Sequence, residues 1–436
     1  MEAVAKSSYG TEKKPVSASA RKLLVIDTSY SLEAIVKRGL MESVTCRDLD
    51  GYFQHVWTVH PFATLVTSPQ WAKTYGTPEV HTINHRHTFI EGKVGRFAFL
   101  NRIFPLNFLL GQIQMFFYLR HLIRKEKISV IRSGDPLYLG LLSWALSRSC
   151  KIPFLIRVGG NHDKIFETTK QPLQKRLFRS RKVEKWVERF VFKRADLVAG
   201  ANQDNLNFAL ANGARPEFST IFRYGNLIHK SHFTEPSERQ EGESLLNEYG
   251  VQPKQFIIYI GRLEKVKHPD HVIEIAAELL KRGHDIKTLL VGDGRMLDEL
   301  KDVAEKLNIK EQVIFCGNKD QEWLSRIVPL ASAVVSPHTG RALSEAALAQ
   351  VPIVAYDVDW QGELIETGIT GELVPHQAKD KMADAVERFL LDKDYAGKMA
   401  KAVRARALDM MWPEKLDQHE RDQYTLLLER FSKSRS

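Results

Sequence analysis

Five short apolar runs in the second half of this 436-residue chain, Phe256–Ile260, Thr288–Val291, Val313–Phe315, Ala333–Ser336 and Ile353–Tyr356, are separated by longer amphipathic segments. Few architectures accept that alternation. Runs of three to five residues suit buried strands. The segments between them, such as Ile273–Leu280 and Met296–Leu307, carry apolar residues three and four apart, as helices covering a sheet do. The pattern predicts βα units of a doubly wound parallel sheet. From Arg21 the first half alternates in the same way, with strands expected at Leu23–Ile26, Ser129–Ile131, Phe154–Val158 and Asp196–Ala199. Around Asn226–Asn247 the chain turns polar, without an apolar run, and reads as an interdomain linker. No internal repeat of solenoid or propeller length is visible.

The length exceeds the roughly 250–300 residues over which one core keeps growing, so two domains are expected. Residues 1–21, rich in Ser, Ala and Lys without an apolar core, read as a flexible tail and not as a secretory signal. The most apolar run, Ile103–Leu119, is broken by Pro105, Asn107, Gln112 and Gln114 and is too short to span a bilayer. Three scattered cysteines, Cys46, Cys150 and Cys316, fit neither a disulfide framework nor a paired-cysteine zinc site, and a reducing cytoplasm suits them.

The net charge of +10 is unevenly spread: residues 1–230 carry +17 and residues 231–436 carry −7. Within the first half, Lys164–Arg194 holds eleven basic and three acidic residues interleaved with Leu173, Leu177, Phe178, Trp186, Phe190 and Val191. Such basic, aromatic-bearing helices either lie on an anionic membrane or pack on a core with a solvated basic face. Nucleic acid is excluded as a partner, because phosphate-type loops lie in the acidic half.

Three motifs carry candidate chemistry. In FIIYIGRLEKVK (256–267) a buried strand stops at Gly261 and presents Arg262 and Lys267 at the carboxyl edge of a sheet, where open α/β folds hold ligands. Two cations there suit a phosphate or diphosphate, although a solvated basic turn reads the same in isolation. In LLVGDGRM (289–296), Gly292, Asp293 and Gly294 make a strand-to-helix turn that lacks the full dinucleotide fingerprint, which argues against a nicotinamide or flavin. In SPHTGRALSEAALAQVPIVAYD (336–357), a loop with Gly340 leads into a small-residue helix with Glu345 in its first turn. Amides at such a helix start can bind an anion, and Glu345 by itself can serve only the helix dipole.

In this order and spacing the motifs resemble the donor half of the retaining GT-B glycosyltransferases of family 4, from about Gln255 to Trp412. IRVGGNHD (156–163) and RADLVAG (194–200) resemble first-half segments more weakly. The resemblance implies two Rossmann-like doubly wound domains facing a cleft. The first, 22–230, would bind the acceptor. A linker, 231–250, leads to the second, 251–411, which would bind the nucleotide sugar, and a helix, 412–436, would cross back. It further implies that Arg262 and Lys267 grip the donor diphosphate and that Gly340, Arg341, Ala342 and Leu343 contact the same phosphates. Glu345 would hold the ribose, Asn318 would lie by the base, and Glu363 would be structural or pocket-lining.

The chain departs from that pattern at Pro337, where the family usually has a glutamate near the donor sugar. His338 and Thr339 can still offer polar atoms to sugar hydroxyls. Gly159 occupies the position of a family histidine, leaving His162 as the candidate catalytic or sugar-contacting residue beside Gly160, Asn161 and Asp163. No DxD motif of the metal-binding kind is present, Asp357 and Asp359 being the nearest approach.

The expectation is a metal-independent retaining glycosyltransferase without cofactors. It would act on a nucleotide-diphosphate sugar and a glycan or lipid-linked acceptor, in the cytoplasm or on the inner membrane face. A catalytically inactive sugar-nucleotide-binding subunit and a nucleotide-sugar epimerase are the alternatives.

Overall fold

The computed structural model describes residues 21–37, 39–63, 75–239, 242–338 and 340–434. The tail at 1–20 and Thr339 lie outside the described residues. The first half builds an eight-stranded sheet from β1 (Lys22–Ile26), β2 (His55–His60), β3 (Glu79–Thr82), β4 (His87–Glu91), β5 (Val130–Ser133), β6 (Phe154–Val158), β7 (Leu197–Gly200) and β8 (Ser219–Ile221). Their order is β3-β4-β2-β1-β5-β6-β7-β8, parallel throughout except for the β3–β4 pair. The second half builds a parallel six-stranded sheet from β9 (Phe256–Ile260), β10 (Lys287–Val291), β11 (Val313–Gly317), β12 (Ala333–Ser336), β13 (Ile353–Tyr356) and β14 (Glu372–Val374). Its order is β11-β10-β9-β12-β13-β14.

Both sheets reverse direction about a central strand. The chain leaves β9 towards β10 and β11, then returns to β9's other side with β12. It likewise leaves β1 towards β2 and β4, then returns with β5. At such a reversal the loops leaving adjacent carboxyl ends part in opposite directions and open a crevice. The crevice of the second sheet is bounded by the residues after β9 and β12, and that of the first by those after β1 and β5.

Alternation along β9 explains the core. Phe256, Ile258 and Ile260 pack on one face with Ala346 and Leu348, whereas Ile257 and Tyr259 pack on the other with Val272 and Leu279. The helices Pro269–Lys281 and Leu297–Lys306 cover the second face, through Ile273, Ala276, Leu300 and Ala304. The polar stretch 226–247 is not a bare linker. Ile228 and Leu246 enter the second sheet's core, and His232 is fully buried.

The chain ends in two long helices, Lys393–Met411 and Pro413–Lys433, separated by an extended Trp412. The last returns to the first sheet. Its Tyr424 and Leu427 pack with Leu23, Val25 and Phe53, and its buried Glu420 meets Arg132 (3.4 Å) and Arg157 (3.6 Å). Among the described residues no helix is long and apolar enough to cross a membrane.

Two buried histidines link this packing to acid stability. Among the described residues, His60 on β2 has no hydrogen-bond partner for either ring nitrogen, and His232 has one only for Nε2, Gln321 (2.8 Å). Burial pushes each down to about 4. Below its ordinary value near 6.5 the unfolded chain takes up protons that the native rings refuse, so stability falls as pH drops from 6.5 towards 4. Each ring contributes about 1.4 kcal/mol per pH unit across that window. The expected result is a melting temperature that declines from pH 6.5 to 4.5, less steeply in His60→Leu. An equal slope in wild type and variant would contradict it.

Candidate active site

A cleft of about 770 Å³ lies between the carboxyl edges of the two sheets and takes in both reversal points. On the second-domain wall, β9 ends at Gly261 and Arg262 follows. A single 3-10 turn, Lys265–Lys267, then brings Lys267 to the same lip. Neither cation forms a side-chain hydrogen bond or ion pair with a described residue, so their charge is left facing the cleft. Lys267 is held down at about 8, first by burial and then by Arg262, with Asp359 opposing. A Cβ built on Gly340, whose φ is +67°, would stand 3.8 Å from Lys267 Nζ, so the loop after β12 closes onto this lysine.

That loop continues through Arg341 and Ala342 into the helix Ala342–Leu348. Glu345 is buried there, its Oε1 3.5 Å from Arg341 Nε. Burial raises this carboxyl, while Arg341 and a hydrogen bond from Gln321 pull it down. A desolvated carboxylate with open acceptor positions binds paired hydroxyl groups well.

Gly292 is present for a backbone reason. Its φ is +140°, and a Cβ there would lie 1.9 Å from the Gly261 carbonyl oxygen. The turns after β9 and β10 can approach only without a side chain at this position.

Nine of the sequence-derived candidates line the cleft: Gly261, Arg262, Lys267, Gly292, Asn318, Gly340, Arg341, Ala342 and Glu345. The other described candidates stand elsewhere. Asp293 is exposed and caps its own turn, its Oδ1 accepting from Gly294 N–H (2.8 Å). Gly294 lies against the Leu263 carbonyl, and Leu343 is a core residue. His338 turns aside, with Nδ1 3.1 Å from the Val266 carbonyl and Nε2 3.5 Å from Asp359.

His162 is buried away from the cleft. Its Nδ1 is 2.7 Å from Glu188, which also receives Arg181 at 2.7 and 2.8 Å, and its ring packs on Phe208. Asp163 completes that network through Arg181 (2.9 Å) and Lys185 (3.0 Å). Asn161 caps the helix His162–Thr169 by accepting from Lys164 N–H. Gly160 precedes it, and of the segment 156–163 only Arg157 and Gly159 line the cleft. Glu363 spans the two halves. It accepts from Gln203 N–H (2.7 Å) and Arg223 (2.8 Å) of the first.

The facing wall holds residues that sequence reasoning did not single out. Asp27, at the end of β1, pairs with Arg47 (2.7 Å); burial opposes its charge, but Arg47 and Ser29 hold it down at about 2. Arg132 on β5 and Arg157 on β6 share the single carboxylate of Glu420, and Arg157 is lowered by burial and then by Arg132. All three arginines line the cleft. Their place as the penultimate polar residue of an apolar strand, in VIRS and LIRV, was the available signal for Arg132 and Arg157.

Residues 245–406 match the family model described as glycosyl transferases group 1. The likeness to that family falls on the second domain. Among curated proteins, 267 residues are 27% identical to the alpha-D-kanosaminyltransferase of Streptomyces kanamyceticus, covering 59% of this chain and 66% of that protein. A stretch of 177 residues is 31% identical to the D-inositol 3-phosphate glycosyltransferase of Nocardia farcinica, covering 38% and 39%. The match thus spans less than two thirds of either relative's length. Solved structures extend the likeness to both domains. Anabaena Alr3699/HepE, crystallised with UDP and glucose, superposes with a TM-score of 0.69 at 16% identity, covering 93% of this chain and 99% of that one. The sucrose-phosphate synthase of Thermosynechococcus elongatus gives 0.69 at 17%, covering 94% and 100%. The chain therefore has the GT-B architecture, two doubly wound α/β domains with the cleft between them.

Proposed function

We propose that this chain is a retaining glycosyltransferase that moves a sugar from a nucleotide-diphosphate sugar to a glycan or lipid-linked acceptor. The observation that carries the reading is the pair of unpaired cations, Arg262 and Lys267, at the β9–β12 reversal, beside the Gly340 loop and the buried Glu345. Nucleoside diphosphate would lie with its phosphates between the cations and the loop amides, and its ribose on Glu345. As the sugar–phosphate bond breaks, negative charge grows on the diphosphate, and preorganised cations lower that barrier without reorganising. A phosphate oxygen of the departing group would take the acceptor's proton, so attack comes from the same face and needs no protein nucleophile. The two side chains supply the neutralisation that a metal would otherwise supply. In this reading His162 supports the fold of the acceptor domain through Glu188 and does not touch sugar.

The activities of the matched relatives, a kanosaminyltransferase and an inositol-phosphate glycosyltransferase, support sugar transfer, and the UDP and glucose held by the Anabaena protein support a nucleotide-sugar donor. Surplus positive charge on the opposite wall, three arginines against Asp27 and Glu420, favours an acceptor bearing an anionic group. Thermal shift against a panel of nucleotide sugars tests the donor half. One class should raise the melting temperature with or without EDTA, since a ligand bound only by the native state stabilises it. A shift abolished by EDTA and restored by manganese would contradict the metal-free mechanism. Pro337, where the family has glutamate, favours the second reading, a sugar-nucleotide-binding subunit without turnover; tight donor binding with no transfer to any acceptor would support it.

Peripheral attachment to an anionic membrane, polysaccharide or lipopolysaccharide synthesis and a cytoplasmic location belong to the same proposal. Trp186 and Val183 stand exposed among the lysines and arginines of the helix Arg181–Phe192, and Leu106, Leu109, Ile113 and Phe117 form an exposed face on Phe104–Glu126. Apolar side chains beside basic ones suit a headgroup boundary. Sedimentation with anionic liposomes should be strong at low salt and weak at high salt; no sedimentation, or none that salt affects, would remove the membrane from the account.

A further inference from the structure

Immediately behind the Lys267 lip, and outside the cleft, histidines gather around one carboxylate. His268, held left-handed at φ +51°, begins the turn into the helix Pro269–Lys281, and Asp270 and His271 follow in its first turn. One ligand atom from each of these three residues lies within 4.8 Å of the other two. The His268 and His271 rings stack with centroids 4.7 Å apart. His376, in the loop after β14, brings its Nε2 to 3.2 Å from that of His268.

Two features point to a ligand here. Asp270 Oδ1 is buried and has no hydrogen-bond partner among the described residues, which is costly for a carboxylate oxygen unless something else meets it. His271 has its Nδ1 engaged by the Tyr356 hydroxyl at 3.0 Å, which leaves Nε2 directed to the Asp270 side, 4.0 Å from Oδ2. Fixing the far nitrogen through a partner in this way is how metal-ligating imidazoles are oriented.

We infer that His268, Asp270 and His271 form a site for a nitrogen-preferring divalent transition ion such as zinc, with His376 at its rim. A tetrahedral ion with bonds of about 2.0–2.1 Å sets its ligand atoms about 3.3–3.4 Å apart, so sub-ångström to one-ångström side-chain movements close the set. Imidazole with carboxylate suits zinc, nickel or copper and excludes magnesium and calcium, which take oxygen ligands. The ion would cross-link the turn after β9 to the loop after β14. This inference does not depend on the sugar-transfer reading, because none of the four residues lines the cleft.

The test is equilibrium dialysis of the tag-free full chain against zinc chloride, with bound metal counted per chain and the melting temperature followed. One zinc per chain with a raised melting temperature is expected. His271→Ala and His268→Asn, the latter chosen because asparagine tolerates a left-handed backbone, should each weaken binding at least tenfold. His81→Ala, in the separate Glu79–His81–Glu91 group, should leave it unchanged. No zinc bound by the folded wild type, zinc binding unaltered in both His268→Asn and His271→Ala, or equal displacement by magnesium would each overturn the inference.

Discussion

Replacing Lys267 with alanine lowers turnover on the cognate nucleotide sugar by about 10²–10³, and Arg262→Ala does the same, while the protein without donor remains at least as stable as wild type. The two halves of this expectation come from one fact. Lys267 is largely withdrawn from water beside a second cation and has no ion-pair partner among the described residues, so its removal breaks no ion pair and relieves a repulsion. A lysine kept for the fold would show the reverse, a lower melting temperature and ordinary kinetics. The loss should fall on kcat and kcat/KM together, as it does when an interaction strengthens in the transition state. Steady-state rates and melting curves on the same preparations check both halves. Wild-type-like rates in both variants would remove the diphosphate assignment.

Gly292→Ala is expected to be the most damaging single methyl group in the second domain. The new Cβ would stand 1.9 Å from a main-chain oxygen at Gly261, and no rotamer change can clear it. The residue would also be held at φ +140°, which L side chains rarely adopt. Separating the turns after β9 and β10 costs on the order of 3 kcal/mol or more and displaces Arg262, the next residue along. Denaturant midpoints should therefore fall, and donor binding with them. Gly397→Ala is the contrasting control. It lies in the helix Lys393–Met411 with no atom within 4 Å of the added carbon, and should stabilise by about 0.5–1 kcal/mol. A Gly292→Ala protein with wild-type stability and donor affinity would contradict this account of the turn.

What could be read from the sequence follows from how local each signal was. The strands of the second sheet other than β14 were legible to within two residues because β9, β12 and β13 are short runs buried on both faces and β10 and β11 keep three consecutive apolar residues. β14, only Glu372–Val374, was too short to register, and β2 and β4 were hidden by His55, Thr58, His60, His87 and Thr88, polar residues that the fold nonetheless buries or half-buries. The second-domain wall of the cleft was legible because each of its loops directly follows a recognisable strand. The first-domain wall was not. Asp27, Arg47, Arg132 and Arg157 come from four separate elements, and only the sheet order and the returning C-terminal helix bring them to one place. His162 was a candidate because it lies three residues after Gly159, which stands at the position of the family's histidine. The partner that turns it inward, Glu188, is 26 residues further on and carries no signal of pairing in the sequence.

The central claim is that the Arg262 and Lys267 pair binds the diphosphate of the donor. Titration calorimetry of a nucleoside diphosphate and of the corresponding nucleoside, each against wild type and Lys267→Ala, tests it most directly. The account predicts that the diphosphate binds wild type at least tenfold more tightly than the nucleoside, and that Lys267→Ala erases most of this difference while leaving nucleoside binding intact. Equal affinity of wild type for the two ligands, or an undiminished preference in the variant, would contradict it.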